Sequence, residues 1–169
     1  MIILGIDPGT AITGYGIIEY NPKSGSRDRV KYIGCGCILT SKEETEAQRL
    51  EQTYQGMVKI IQKCRPDVIS VEKLFFFKNA KTAISVSQAR GVVILAAQQK
   101  KIPLAEFTPL QIKMAVTGYG KADKKQIQKM IKTIFGLKEI PKPDDAADAL
   151  AAAFCFANSC CFKKLVFHS

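Results

Sequence analysis

The spacing of apolar residues changes period several times along this chain. Ile2-Ile-Leu-Gly-Ile6 is a short β-branched run that stops at Asp7-Pro-Gly-Thr10, the pattern of a buried strand and a turn. Thr13 to Tyr20 and Val30 to Thr40 read as two further strands around the polar turn Asn21 to Ser26, so residues 2–40 predict an antiparallel meander. The period then lengthens. Ala47, Leu50, Tyr54, Met57 and Ile61 recur every three or four residues and predict an amphipathic helix from about Glu43 to Cys64, closed by Pro66. Val68 to Val71 is a buried strand with Glu72 at its end, and Lys73 to Asn79 is a loop carrying Phe75, Phe76 and Phe77. Ala80 to Lys100 predicts a long helix that is apolar on more than one side near Val92 to Ala97. Such a helix needs cover beyond its own sheet, which suggests contact with a second copy of the chain. Leu104 to Phe107 is a short strand, and a small helix follows Pro109. Ile127, Met130, Ile131 and Ile134 mark another helix, and Asp144 opens a last, alanine-rich one. This order predicts an α/β fold with a mixed five-stranded sheet flanked by helices. Residues 1–158 form one domain in this reading, and 159–169 are a tail expected to fray.

Composition narrows the class. The chain has 169 residues, too few for a two-lobed kinase or a dehydrogenase with a separate substrate domain. No apolar run is long enough to span a membrane, and Met1 to Asp7 lacks the basic region and cleavage site of a signal peptide. The expectation is a soluble, cytoplasmic protein. The formal charge of +10 is unevenly placed. Residues 1–72 carry 9 Lys+Arg and 9 Asp+Glu. Residues 73–143 carry 14 Lys+Arg against Glu106, Asp123 and Glu139, and 144–169 carry two lysines against three aspartates. A basic excess confined to the middle of the chain suggests a polyanionic partner, most simply nucleic acid. Six cysteines without a secretion signal read as reduced thiols. With no Cys-x-x-Cys pair and His168 as the one histidine, the spacing argues against zinc. Cys35 and Cys37, two apart in a strand, would share one face as small core residues.

Acidic residues are scarce after residue 72, so their placement is informative. Asp7 ends the first strand, Glu72 ends the fourth, and Asp145 and Asp148 stand three apart on one face of the last helix. Each alone has an ordinary structural reading: a turn former, an ion-paired strand end, an acid at a helix N-terminus. Together they suggest something else. Clustered carboxylates repel and raise one another's pKa values unless cations neutralise them. Oxygen-bound Mg²⁺ does so, and two ions about 3.5–4 Å apart activate water and stabilise a leaving oxygen in phosphoryl transfer. Asp148, set among Ala146, Ala147, Ala149 and Leu150, is the hardest to explain structurally.

Gly5-Ile-Asp-Pro-Gly-Thr-x-x-Thr-Gly-Tyr-Gly16, Val71-Glu-Lys-Leu-Phe-Phe-Phe-Lys-Asn-Ala80, Ser87-Gln-Ala-Arg-Gly-Val92 and Asp145-Ala-Ala-Asp-Ala-Leu150 together resemble the RuvC family of Holliday-junction resolvases. The four motifs are co-linear, and the resemblance runs from residue 1 to about 157. The resemblance implies an RNase H-like fold and a homodimer that binds a four-way DNA junction. It implies symmetrical nicking of two strands of like polarity, leaving 5′-phosphate and 3′-hydroxyl ends. It further implies Asp7, Glu72, Asp145 and Asp148 as catalytic metal ligands for two Mg²⁺, with Mn²⁺ as a substitute, and a branch-migration complex of the RuvA and RuvB type as partner. Asp144 resembles a helix-capping neighbour of the ligands. Lys113 and Lys124 fall at positions where the family carries lysine, which makes them phosphate contacts, with Lys121 and Lys125 beside them. Phe75 is the residue expected to stack on bases at the opened crossover. Tyr15 and Tyr119 are weaker candidates for the same role, and Arg90 is expected to brace the dimer or a loop.

Three other readings remain at this point. The Gly-Ile-Asp-x-Gly-Thr start also resembles the first phosphate loop of actin-like sugar kinases and chaperone ATPases, a fold that needs a second lobe. An RNase H-like nuclease acting on ribosomal RNA precursors is the second. A catalytically dead junction-binding protein is the third.

Overall fold

A computed structural model describes residues 1–25, 29–73 and 80–166. Phe75, with the rest of the phenylalanine run, lies outside the described residues. Five strands, β1 (Ile2–Asp7), β2 (Ile12–Tyr20), β3 (Val30–Leu39), β4 (Val68–Glu72) and β5 (Leu104–Phe107), form one sheet in the order β3-β2-β1-β4-β5. β1 pairs antiparallel with β2 and parallel with β4, so the sheet is mixed, as the element order predicts. Helices α1 (Glu46–Cys64) and α2 (Ala80–Gln99) cover one face. Helices α3 (Pro109–Thr117), α4 (Lys124–Ile134) and α5 (Asp144–Val166) cover the other.

Local chemistry sets the helix ends. Thr45 with Gln48, Thr108 with Gln111 and Asp123 with Gln126 each form a capping box that pairs two otherwise unsatisfied backbone N–H groups. The first box starts α1 at Glu46, three residues later than the hydrophobic period alone suggests. Arg65 ends it in a left-handed conformation ahead of Pro66. α5 runs to Val166, beyond the expected start of the tail at residue 159.

Alternation along β1 and β4 sorts side chains to the two faces. Leu4, Ile6, Ile69 and Val71 pack with Met57, Ile61, Val93 and Ala96 on the α1–α2 side. Ile3 and Val68 pack with the alanines of α5 on the other side. Continuing the alternation turns Asp7 and Glu72 toward α5.

The contact of α5 with the sheet is a contact of backbones. A Cβ on Gly5 would stand 2.0 Å from the Ala149 carbonyl oxygen, and one on Gly14 2.1 Å from that of Asp145. On Gly16 it would meet Leu150 at 2.7 Å. Ala146, Ala147, Ala149, Ala152 and Ala153 supply the matching low relief on the helix. Ser70 Oγ donates to the Ala152 carbonyl at 2.7 Å and ties the helix to β4.

Replacing Gly5 by alanine is therefore expected to destabilise the fold by at least about 3 kcal/mol, because the clash is with backbone that cannot rotate away. Gly34→Ala, where a Cβ meets nothing within 4 Å, is the control and should stay within about 1 kcal/mol of wild type. Denaturant unfolding of both variants checks this; equal losses would refute the backbone-contact account.

Candidate active site

Four carboxylates reach one end of the sheet by separate routes. Asp7 and Glu72 follow directly on the paired residues Ile6 and Val71, so the strand register sets them side by side at the ends of β1 and β4. Asp7 is also paired across β2 with Gly14, the residue over which the Asp145 backbone passes. Asp148 lies one turn further along α5 and is about three-quarters buried. The glycine contact is thus what brings the helix acids to the strand acids.

The groups feel one another. Burial, then the charges of Asp148, Glu72 and Asp145, push the Asp7 carboxyl up to about 7. Burial and Asp148 raise Glu72, with Lys113 opposing. Burial also raises Asp148, against the pull of Lys124. The side chains are close enough to couple but do not form a finished cage. Among the described residues, no three His, Cys, Asp or Glu side chains stand close enough to hold a metal ion as placed. The donor set itself suits a hard divalent cation: four carboxylates, three of them held above their ordinary pKa by burial and mutual repulsion, which a bound cation would relieve.

Two of the predicted lysines meet this cluster. Lys124 Nζ lies 3.1 Å from Asp148 Oδ2 and 3.4 Å from Asp144 Oδ2. Lys113, on α3, shares a recess with Glu72, Asp148, Pro109, Ile112 and Ala151. Lys121 and Lys125 are exposed on the turn before α4 and on its first residues, beside the exposed ring of Tyr119. The structure does not bring Tyr15 to the site. Its side chain lies on the α1–α2 face, with its hydroxyl over Gly36. Arg90 forms an ion pair with Glu106 of β5.

Two residues to which the sequence reading gave other roles, Asp144 as a capping neighbour and Cys37 as a core residue, have further contacts at the site. Asp144 is a partner of Lys124 as well as a first-turn acid of α5. Cys37 lies in register with Gly14, two strands from Asp7, and burial with the nearby charge of Asp145 raises its thiol to about 11. The pairing Asp7–Gly14–Cys37 could have been inferred from a correct hairpin register, but the approach of α5 could not.

Comparison with known proteins decides the family. The profile described as crossover junction endodeoxyribonuclease RuvC matches residues 3–156. The chain belongs to the RuvC family. A RuvC from Desulforamulus reducens is 56% identical over 158 residues, covering 94% of each chain. The Thermus thermophilus RuvC structure superposes with a TM-score of 0.86 at 31% identity, covering 96% of this chain and 97% of that one. A structure of the same RuvC in complex with Holliday junction substrate gives 0.88, covering 96% of each chain. The fold is therefore the RNase H-like fold of RuvC, and the activity is that of a hydrolytic endodeoxyribonuclease. RuvC proteins are metal-dependent nucleases. The RNA-processing, kinase-like and non-catalytic readings are not favoured by a family match of this extent.

A raised carboxyl pKa stabilises the fold at low pH. For Asp7 that contribution is whole below the unfolded value near 3.8 and lost as pH rises through the folded value near 7. In chelator, Asp7→Asn should therefore raise the thermal midpoint by several degrees at pH 8, and the gain should vanish toward pH 4. A gain independent of pH would show that the buried charge is not its source.

Proposed function

We propose that this chain resolves four-way DNA junctions as a homodimer, with Asp7, Glu72, Asp145 and Asp148 holding two Mg²⁺ ions at each site. The observation that carries the assignment is the gathering of strand and helix acids through the Gly14–Asp145 contact, where Asp7 is held near pKa 7. When bound, the cations supply an activated in-line water and neutralise the leaving 3′-oxygen. Mn²⁺ is the expected substitute. The chain's own residues do the rest. The glycine contact holds the carboxylates to a fixed frame. Lys113 and Lys124 bring positive charge to where a scissile phosphate would sit, and Lys121 and Lys125 face outward to receive neighbouring phosphates. Phe75 remains the proposed base-stacking residue on the grounds of the resemblance.

The α2 surface supports the dimer. Ile84, Gln88, Gly91 and Leu95 fall on one stripe of the helix; Ile84 is 73% and Leu95 50% exposed, and a Cβ on Gly91 would meet nothing. A two-fold dimer through this stripe presents two sites related as the two cleaved strands of a junction are. Among the described residues no helix is long and apolar enough to cross a membrane. Action in the cytoplasm beside a RuvA- and RuvB-type motor is the corresponding cellular setting.

Junction-binding titrations over a range of salt, run beside a Mg²⁺-dependent nicking assay, test the assignment. Asp7→Asn should bind a four-way junction with the wild-type salt slope and nick nothing; nicking retained near the wild-type rate would remove Asp7 from the catalytic set. Lys121→Ala with Lys125→Ala should nick slowly and lower the slope by about 2. Sedimentation tests the dimer. Ile84→Glu should convert it to folded monomers, and an unchanged oligomeric state would place the interface elsewhere.

A further inference from the structure

Lys124 has two acceptors, and only one of them is a proposed metal ligand. Its ammonium lies between Asp148 and Asp144, at 3.1 and 3.4 Å, as the first residue of α4. The Asp123–Gln126 capping box fixes the backbone from which the lysine reaches. Asp144 and Asp148 are four residues apart on α5 and so stack on one face, one turn above the other. Asp148 is the inner of the two, 27% exposed, and Asp144 the outer, 58% exposed.

This arrangement creates a competition. A cation taken up by Asp148 would draw on the carboxylate charge that Lys124 now pairs with and would repel the ammonium. A lysine released into solvent recovers its rotamers and is no longer held near the phosphate. Asp144 offers the displaced ammonium an acceptor within the same reach, on a carboxylate that remains outside the cluster.

We propose that Asp144 is a positioning residue that keeps the Lys124 ammonium at the mouth of the site when Asp148 takes up a divalent cation. The inference rests on the reading of Asp148 as a metal ligand. It assigns Asp144 a role beyond that of a first-turn helix acid. Exchange between the two acceptors needs no backbone movement, since both lie on one turn of α5 and the lysine stem is flexible. The scissile phosphate then meets an ammonium that is already local, and the ion's uptake is eased because the displaced charge is not left unpaired.

Calorimetric titration of the full-length protein with Mn²⁺ alone, at physiological salt and without DNA, tests this in a double-mutant cycle. Lys124→Gln removes the competitor and should tighten Mn²⁺ binding about threefold. Asp144→Asn should weaken it about threefold while Lys124 is present and leave it nearly unchanged in the Lys124→Gln background. Asp144→Glu should restore wild-type binding. On a junction, Asp144→Asn should lower the turnover rate about tenfold with KM little changed, and add no further loss to Lys124→Gln. Equal weakening by Asp144→Asn in both backgrounds would overturn the proposal, since Asp144 would then act by its own charge. A loss of melting temperature with metal binding and turnover intact would also overturn it, leaving only a helix-terminal role. If instead the wild-type protein takes up no Mn²⁺, the metal-ligand reading itself falls, an outcome distinct from a failed cycle.

Discussion

The close approach of α5 to β1 and β2 is the constraint on which the rest depends. Three glycines on the strands and a run of alanines on the helix let two backbones come together with almost no side chain between them. A helix held off by ordinary side chains would stand several ångströms further out, at the usual spacing of packed layers. Asp145 would then lose its place over Gly14 and with it the vicinity of Asp7. The contact therefore does two tasks at once: it closes the core on that face, and it sets the distance between acids contributed by opposite ends of the chain. The same approach brings the start of α5 over Cys37, whose thiol is pushed up by burial and the charge of Asp145.

What this frame holds is unfavourable in itself. Asp7, Glu72 and Asp148 are all raised by burial, and like charges add to it. The compensation comes from the middle of the chain. Lys113 opposes the shift at Glu72, and Lys124 opposes the shift at Asp148. The basic excess of residues 73–143 is thus divided between two tasks. Lys113 and Lys124 face the carboxylates, whereas Lys121 and Lys125 stay exposed. The second pair lies on the surface, and the first pair also offsets the charge of the carboxylates.

Much of this was legible in the residues because it follows from period and register. Alternation in β1 and β4 predicts where Asp7 and Glu72 lie once those strands are neighbours, and they are. The three-residue spacing of Asp145 and Asp148 places both on one face of a helix that does form. The capping boxes were present in the sequence too, but hydrophobic period alone began α1 at Glu43 instead of Glu46. What could not be read were contacts set by the relative placement of elements. Nothing local to Lys124 says that it lies against Asp148 twenty-four residues on, because that depends on how α4 leans on α5. Arg90 and Glu106 pair for the same kind of reason, through the seating of α2 beside β5. Tyr15 looked available for stacking until strand register turned it to the α1–α2 face.

The two faces of the sheet differ in chemistry. The α5 face carries charge and chemistry, held by backbone contact that leaves little room for rearrangement. The α2 side carries the exposed apolar stripe of Ile84 and Leu95. The separation has a physical reason. An interface built on the α5 face would have to bury the clustered carboxylates and lysines, at the high desolvation cost of charged groups. The interface proposed on α2 would bury apolar surface and leave the acids of each copy uncovered. The Arg90–Glu106 pair, itself mostly shielded, then links α2 to the edge strand β5, whose parallel neighbour β4 ends in Glu72. The interface proposed on α2 would in this way be connected to the strand that carries Glu72 by one ion pair and one step of strand register.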